Sequence, residues 1–114
     1  MAREERFKRR IDVKLEGSNK TIIVRFKGGV WTVFKVREYS SGLEVNNANT
    51  FPEHRVGEGY GTEALHVLKT YAKNRGHKAI YARGVLDRPV SFWTRAGFTP
   101  WYGSNYEFII KENG

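Results

Sequence analysis

The sequence predicts a single α+β (α/β) domain in which an antiparallel N-terminal meander leads into a long amphipathic helix and a shorter strand–helix–strand segment. Three observations predict it. Between residues 11 and 50, short runs alternate apolar and polar side chains and are parted by Gly- and Ser-rich turns. Tyr60, Ala64, Leu65, Val67, Leu68, Tyr71 and Ala72 recur at helical spacing between two glycine signals. At 114 residues the chain can build one real core but not two, so residues 1–114 are expected to form one domain.

Ile11 to Leu15 alternates with Asp12 and Lys14 as a half-buried strand does, and Gly17-Ser18-Asn19 turns the chain. Thr21 to Phe26 is the next strand. Gly28-Gly29 is a two-residue hairpin signal, Trp31 to Val36 returns antiparallel, and Ser40-Ser41-Gly42 leads into a fourth strand from Leu43 to Thr50. The long helix is expected from about Gly59 to Arg75, with Gly76 as its C-terminal cap. Lys78 to Arg83 has strand character. Asp87 is placed as an N-cap, Pro89 in the first turn and Val90 to Ala96 as a short helix ended by Gly97, before a last strand from Tyr106 to Ile110. No internal repeat or low-complexity stretch interrupts this order.

The most informative segment runs from Arg55 to Thr62, Arg-Val-Gly-Glu-Gly-Tyr-Gly-Thr. Its alternating glycines permit φ > 0 and close approach to the backbone, and it opens directly into the helix, whose first-turn N–H groups and dipole favour an anion. A phosphorylated ligand is therefore expected there. A plain strand-to-helix connection would need fewer glycines.

Composition excludes several classes. The chain has no cysteine, which removes disulfides and thiolate-bound metal. His54, His66 and His77 share no ligand spacing and are expected at the surface or partly buried, so no metal is expected. No apolar run reaches the ~20 residues of a membrane span, and the first residues lack the apolar core of a signal peptide, so a soluble cytoplasmic protein is expected. The formal net charge of +8 suits a polyanionic partner: a nucleotide-like cofactor, nucleic acid or an acidic protein. Arg3, Arg6, Lys8, Arg9 and Arg10 concentrate positive charge near the N-terminus, but Glu4 and Glu5 interrupt it, which fits a solvated lead-in better than a nucleic-acid arm.

Two motifs, with the order of elements around them, resemble the GNAT family of acetyl-CoA-dependent N-acetyltransferases. The family's phosphate loop, Q/R-x-x-G-x-G/A, follows a strand and opens a long helix; here it reads Val56-Gly57-Glu58-Gly59-Tyr60-Gly61-Thr62. Phe92-Trp93-Thr94-Arg95-Ala96-Gly97-Phe98 is similar to the family's F-Y-x-x-x-G-F segment. Together they span roughly residues 43 to 98. The resemblance implies a GNAT-like mixed sheet of about six to seven strands and direct transfer of an acetyl group from acetyl-CoA to a primary amine. It implies cofactor contacts at Arg55, Val56, Gly57, Glu58, Gly59, Tyr60, Gly61, Thr62 and Phe92, with the pantetheine arm beside backbone groups near Ala48 and Thr50, where two strands would splay apart. A backbone N–H on the splayed strand would meet the oxyanion.

Departures from the family pattern bear on the chemistry. Strict spacing puts Val56 where Gln or Arg is usual, while Arg55 sits one residue earlier, as though one residue were inserted near Val56 to Glu58. Trp93 stands where members often carry a tyrosine as general acid, and an indole N–H donates a hydrogen bond without giving up its proton. Tyr102 and Tyr106 are the alternative acids. Glu44 is the candidate base, expected by alternation to share a face with Asn46 and Ala48; Glu53 and His54 are weaker alternatives. The family's two helices between its first strands are absent, which predicts an open acceptor side suited to a protein or peptide amine. A CoA-binding module without turnover and a basic nucleic-acid-binding protein are the other readings.

Overall fold

The computed structural model describes residues 9–16, 19–83, 90–103 and 105–110. Strands β1 (Arg9–Glu16), β2 (Asn19–Phe26), β3 (Val30–Glu38) and β4 (Gly42–Phe51) form the meander. A 3-10 turn at Glu53–Arg55 precedes helix α1 (Tyr60–Asn74), which is followed by β5 (Ala79–Ala82), helix α2 (Val90–Arg95), β6 (Thr99–Tyr102) and β7 (Asn105–Ile109). The seven strands make one sheet in the order β1-β2-β3-β4-β5-β7-β6, with β4 and β5 parallel and every other pair antiparallel.

The expected elements are present with ends shifted by at most two residues. Three details differ. Phe26 pairs with Val30, so the first glycine hairpin has a three-residue connection, Lys27-Gly28-Gly29, with both glycines at positive φ. A seventh strand, β6, forms around Pro100, which is tolerated because β6 is an edge strand. His77 is buried at 6% exposure, not a surface side chain. The proposed N-cap Asp87 and first-turn Pro89, the turn residues Gly17 and Ser18, and the basic residues 3–8 lie outside the described residues.

Both helices pack on one face of the sheet. Tyr60, Ala64, Leu65, Leu68 and Ala72 of α1, with Trp93 of α2 and Ala96 just past its end, join Ile22, Val24, Phe34, Val36, Leu43, Val45, Ala48, Ile80 and Ala82 in one core. Both helices also end in the same way. In α1, Gly76 (φ 81°) donates to the Lys73 carbonyl and His77 to Ala72; in α2, Gly97 (φ 89°) donates to Thr94 and Phe98 to Trp93. These are Schellman caps, and in α2 the accompanying apolar contact is the Phe98 ring 5.3 Å from that of Trp93. Among the described residues no helix lies on the opposite face, and none is long and apolar enough to cross a membrane.

One irregularity positions the site. Lys35 pairs with Asn47 but Val36 pairs with Val45, so Asn46 is the extra residue of a β-bulge. Pairing between β4 and β5 runs from Gly42/Ala79 to Val45/Ala82, with a last rung from the Arg83 N–H to the Val45 carbonyl at 3.0 Å. Beyond the bulge β4 continues to Phe51 against β3 alone. The bulge also resets the alternation: Leu43, Val45, Ala48 and Thr50 face the helices, while Glu44, Asn47, Asn49 and Phe51 face away. Glu44 therefore does not share a face with Ala48, contrary to the alternation expected from the sequence.

Candidate functional site

The loop at the end of β4 is shaped by its glycines. Gly57 and Gly59 take φ of 94° and 93°, in the left-handed region where side chains are strained. Gly59 is the N-cap of α1, and no side chain caps the helix there. The first helical rung is the Glu63 N–H to the Gly59 carbonyl at 3.0 Å, so the N–H groups of Tyr60, Gly61 and Thr62 precede the intrahelical ladder. Gly61 is different: its backbone is helical, and a Cβ there would sit 2.8 Å from a Phe92 ring carbon and 3.4 Å from Thr50 Oγ1. Its bare Cα lets Phe92 of α2 and Thr50 of β4 close on the start of α1.

Arg55 spans the loop. Its Nε donates to Glu58 Oε1 at 2.8 Å, its Nη2 to the Tyr60 hydroxyl at 3.0 Å, and its guanidinium lies over the Tyr60 ring at 5.4 Å. The Glu58 hydrogen bond raises the proton affinity of this already permanent cation. A fixed positive charge therefore stands beside the helix N-terminus. Val56 is half exposed, with its N–H on the Glu53 carbonyl, while Glu53 and His54 are exposed on the 3-10 turn. Ala48 and Thr50 are buried on the helix-facing side of β4, and Thr50 Oγ1 lies 2.9 Å from Thr32 Oγ1.

At the other end of β4, Glu44 lies on the helix-free face with its side chain 12% exposed, and Arg83 Nε donates to its Oε2 at 2.9 Å. The Arg83 guanidinium in turn lies 5.2 Å from the Trp101 ring, which is 5.4 Å from Tyr81. Arg83 and Trp101 had no signal in the sequence, because their relation to Glu44 depends on the register of three strands.

Trp93 is fully buried, edge-on to Phe92 and Phe98 and stacked on Tyr106 at 6.2 Å. Its Nε1 is buried without a hydrogen-bond partner. Of the two alternative tyrosines, Tyr106 lies against this indole, and Tyr102 pairs through its backbone with Asn105 while its side chain lies outside the described residues. The structure thus gathers Arg55 to Thr62, Thr50 and Phe92 around the start of α1, and places Glu44 apart from them beyond the bulge.

No family model and no curated protein matches the sequence. The chain is similar to the structure of a GNAT family acetyltransferase from Elizabethkingia anophelis with acetyl-CoA bound, at 10% identity and a TM-score of 0.69 over 90% of this chain and 98% of that one. It is similar to YhhK of E. coli bound to coenzyme A, at 18% identity and a TM-score of 0.64 over 84% and 75% of the two chains. A structure assigned to the GNAT family from Desulfovibrio desulfuricans matches at 14% identity and a TM-score of 0.64, over 81% and 69%. At these identities the likeness is one of fold, and the fold of this chain is GNAT.

Proposed function

We propose that this GNAT-fold domain binds acetyl-CoA and transfers the acetyl group directly to a primary amine, with a protein or peptide amine as the acceptor that the helix-free sheet face suits. The observation that carries the reading is the uncapped N-terminus of α1, set behind two left-handed glycines at the end of the strand that parts from its parallel neighbour. The residues fit a pyrophosphate. Gly59 brings no capping side chain to the helix N-terminus, a Cβ at Gly57 would meet nothing within 4 Å, and Arg55, paired with Glu58, stands beside the loop.

When bound, acetyl-CoA supplies an acetyl group activated as a thioester. The chain's own part is to hold the diphosphate on the N–H groups of Gly57 to Thr62, with Arg55 beside them, and to seat the pantetheine arm along β4 past Thr50 and Ala48. Glu44 receives a proton from the acceptor ammonium, because only the neutral amine attacks. Arg83 fixes the orientation of that carboxylate.

Thermal denaturation tests the cofactor site. Acetyl-CoA at about 100 times its Kd contributes about 2.7 kcal/mol to the native state and should raise Tm by about 10 °C. Gly59→Asp, which places a carboxylate among the amides, should remove that shift while the protein stays folded, since Asp tolerates φ > 0 better than most residues. A full shift in folded Gly59→Asp would sink the placement.

A second reading, a CoA-binding module without turnover, is favoured by Trp93, which is wholly enclosed and cannot deliver a proton. Glu44→Gln separates the two. For an enzyme it should lower kcat about 100-fold with the acetyl-CoA shift intact. Equal rates in mutant and wild type from pH 6 to 9 would remove Glu44 as the base, and no turnover in the wild type with any amine would leave the binding module.

A further inference from the structure

The two edges of the sheet are finished differently. At one edge β6 carries Pro100 and an irregular register against β7, two devices that keep a further strand from adding there. At the other edge β1 has neither. It pairs with β2 in unbroken register from Arg9/Phe26 to Glu16/Asn19, and among the described residues no strand lies on its outer side. A regular outer edge presents backbone N–H and C=O groups as a template for pairing.

The residues of β1 decide what fits that template. Ile11 and Val13 stand across from Val24 and Ile22, on the face the helices cover, yet they are 38% and 41% exposed. Ile11 also lines, with Val67 and Tyr71 of α1, a groove of about 260 Å³ between the strand and the helix. On the opposite face the sequence alternates in charge: Arg10, Asp12, Lys14 and Glu16 run plus, minus, plus, minus. Asp12 is fixed there by the Arg25 Nε at 2.8 Å.

This pattern is complementary to itself when two copies of β1 run antiparallel with their midpoint at Val13. Lys14 of one copy then meets Asp12 of the other, Arg10 meets Glu16, and Ile11 meets Leu15, so every charged rung joins opposite charges and every other rung is apolar. Other registers do worse. A midpoint at Asp12 or Lys14 sets like charges on each other, and a midpoint between two residues sets apolar positions against charged ones. A midpoint at Ile11 or Leu15 matches charges but pairs a shorter stretch of β1.

We propose that β1 is a homodimer interface: a second copy of this chain adds its own β1 antiparallel across Val13, joining two seven-stranded sheets into one. The two-fold axis runs through the Val13 pair normal to the sheet, which keeps both helix layers on one side and covers Ile11 and Val13 of both copies. The alternating charges act as the selector. A strand of different sequence meets like charges or apolar residues at those rungs, so the edge is open to its own copy and closed to most others.

Sedimentation equilibrium of the full chain should show a reversible dimer. Lys14→Glu, which makes both Asp12 rungs repulsive, should weaken it about 30-fold, and Asp12→Lys should act likewise; mixing the two variants should restore a dimer, because each reversed position then meets an opposite charge. Cysteine substitution reads the register independently of these charge reversals, since the chain has no cysteine of its own. On mild oxidation Val13→Cys should form an intermolecular disulfide, Asp12→Cys and Lys14→Cys alone should not, and a mixture of those two should. A full chain that stays monomeric at every concentration would overturn the proposal and leave the edge to another occupant. A dimer that Lys14→Glu leaves unchanged, or a disulfide from Asp12→Cys or Lys14→Cys alone, would overturn this interface in favour of another contact or register.

Discussion

The two ends of helix α1 are built on opposite plans. At its C-terminus the Schellman pair at Gly76 and His77 closes the helix carbonyls, and Glu38 of β3 gathers the side chains of Arg75, His77 and Lys20 on one carboxylate. At its N-terminus the N-cap Gly59 brings no side-chain cap, two glycines are held in the left-handed region, and Arg55 stands beside the first turn. One end spends its hydrogen-bonding capacity on stability; the other, on the function proposed above, would spend it on a ligand. Stability and binding should therefore separate along the length of one helix.

Glu38→Gln is the strongest test of that separation. Glu38 joins the end of β3 to β2, to the last turn of α1 and to the connection into β5, with its side chain 16% exposed. Losing the charge leaves three donors from cationic or imidazole groups around a neutral amide, and hydrogen bonds to charged groups contribute about 1.5–3 kcal/mol each before compensation. The expected loss is about 2 kcal/mol, which lowers Tm by about 8 °C. The rise in Tm with acetyl-CoA should be unchanged. A variant that loses the ligand response along with its stability would mean that the two ends of α1 are not independent.

The pH dependence of the same carboxylate gives a smaller and more specific signal. The Arg75 hydrogen bond, with help from Lys20 and His77 and against the opposing effect of burial, holds Glu38 down at about 2. A carboxylate with a depressed value in the folded state stabilises the protein fully above its unfolded value near 4.5, and loses that contribution as pH falls toward 2. Wild type should thus lose stability faster than Glu38→Gln between about pH 5 and 2. Asp12, also held low by its hydrogen bond from Arg25, titrates in both proteins and cancels in the comparison. Parallel curves over that window would show that the cluster does not act through the charge of Glu38.

These two ends also differ in how far the sequence discloses them. Gly57, Gly59 and the helical period of α1 lie within one short stretch, so the loop and the helix follow from local conformational rules. The Glu38 cluster unites residues 20, 38, 75 and 77, which only sheet register and the packing of α1 bring together. β6 was missed because Pro100 argues against a strand and only its edge position permits one. The bulge did leave a trace: the apolar spacing Leu43, Val45, Ala48, Thr50 has a three-residue step that strict alternation cannot produce. Reading that step would have placed Glu44 opposite Ala48 from the start. Arg83 has no local signature, since its place beside Glu44 depends on which strand lies beside which.

Gly76→Ala gives the smallest expected effect and tests the C-terminal plan in isolation. Gly76 sits at φ 81°, and a Cβ there would meet nothing within 4 Å, so no clash contributes and the cost is conformational alone. A left-handed alanine costs about 1–2 kcal/mol, offset by about 0.4–1 kcal/mol from the narrower unfolded ensemble. The net loss should be about 1 kcal/mol, seen as a fall in Tm of about 4 °C, with the response to acetyl-CoA intact. Gly97 gives the contrast within the same cap type: its Cβ would meet a Phe108 ring carbon at 3.4 Å, an ordinary van der Waals contact, so Gly97→Ala carries the same strain without a clash and should be no worse than Gly76→Ala. If Gly97→Ala proves clearly the more destabilising, the Phe108 ring crowds the cap and backbone geometry alone does not set its cost.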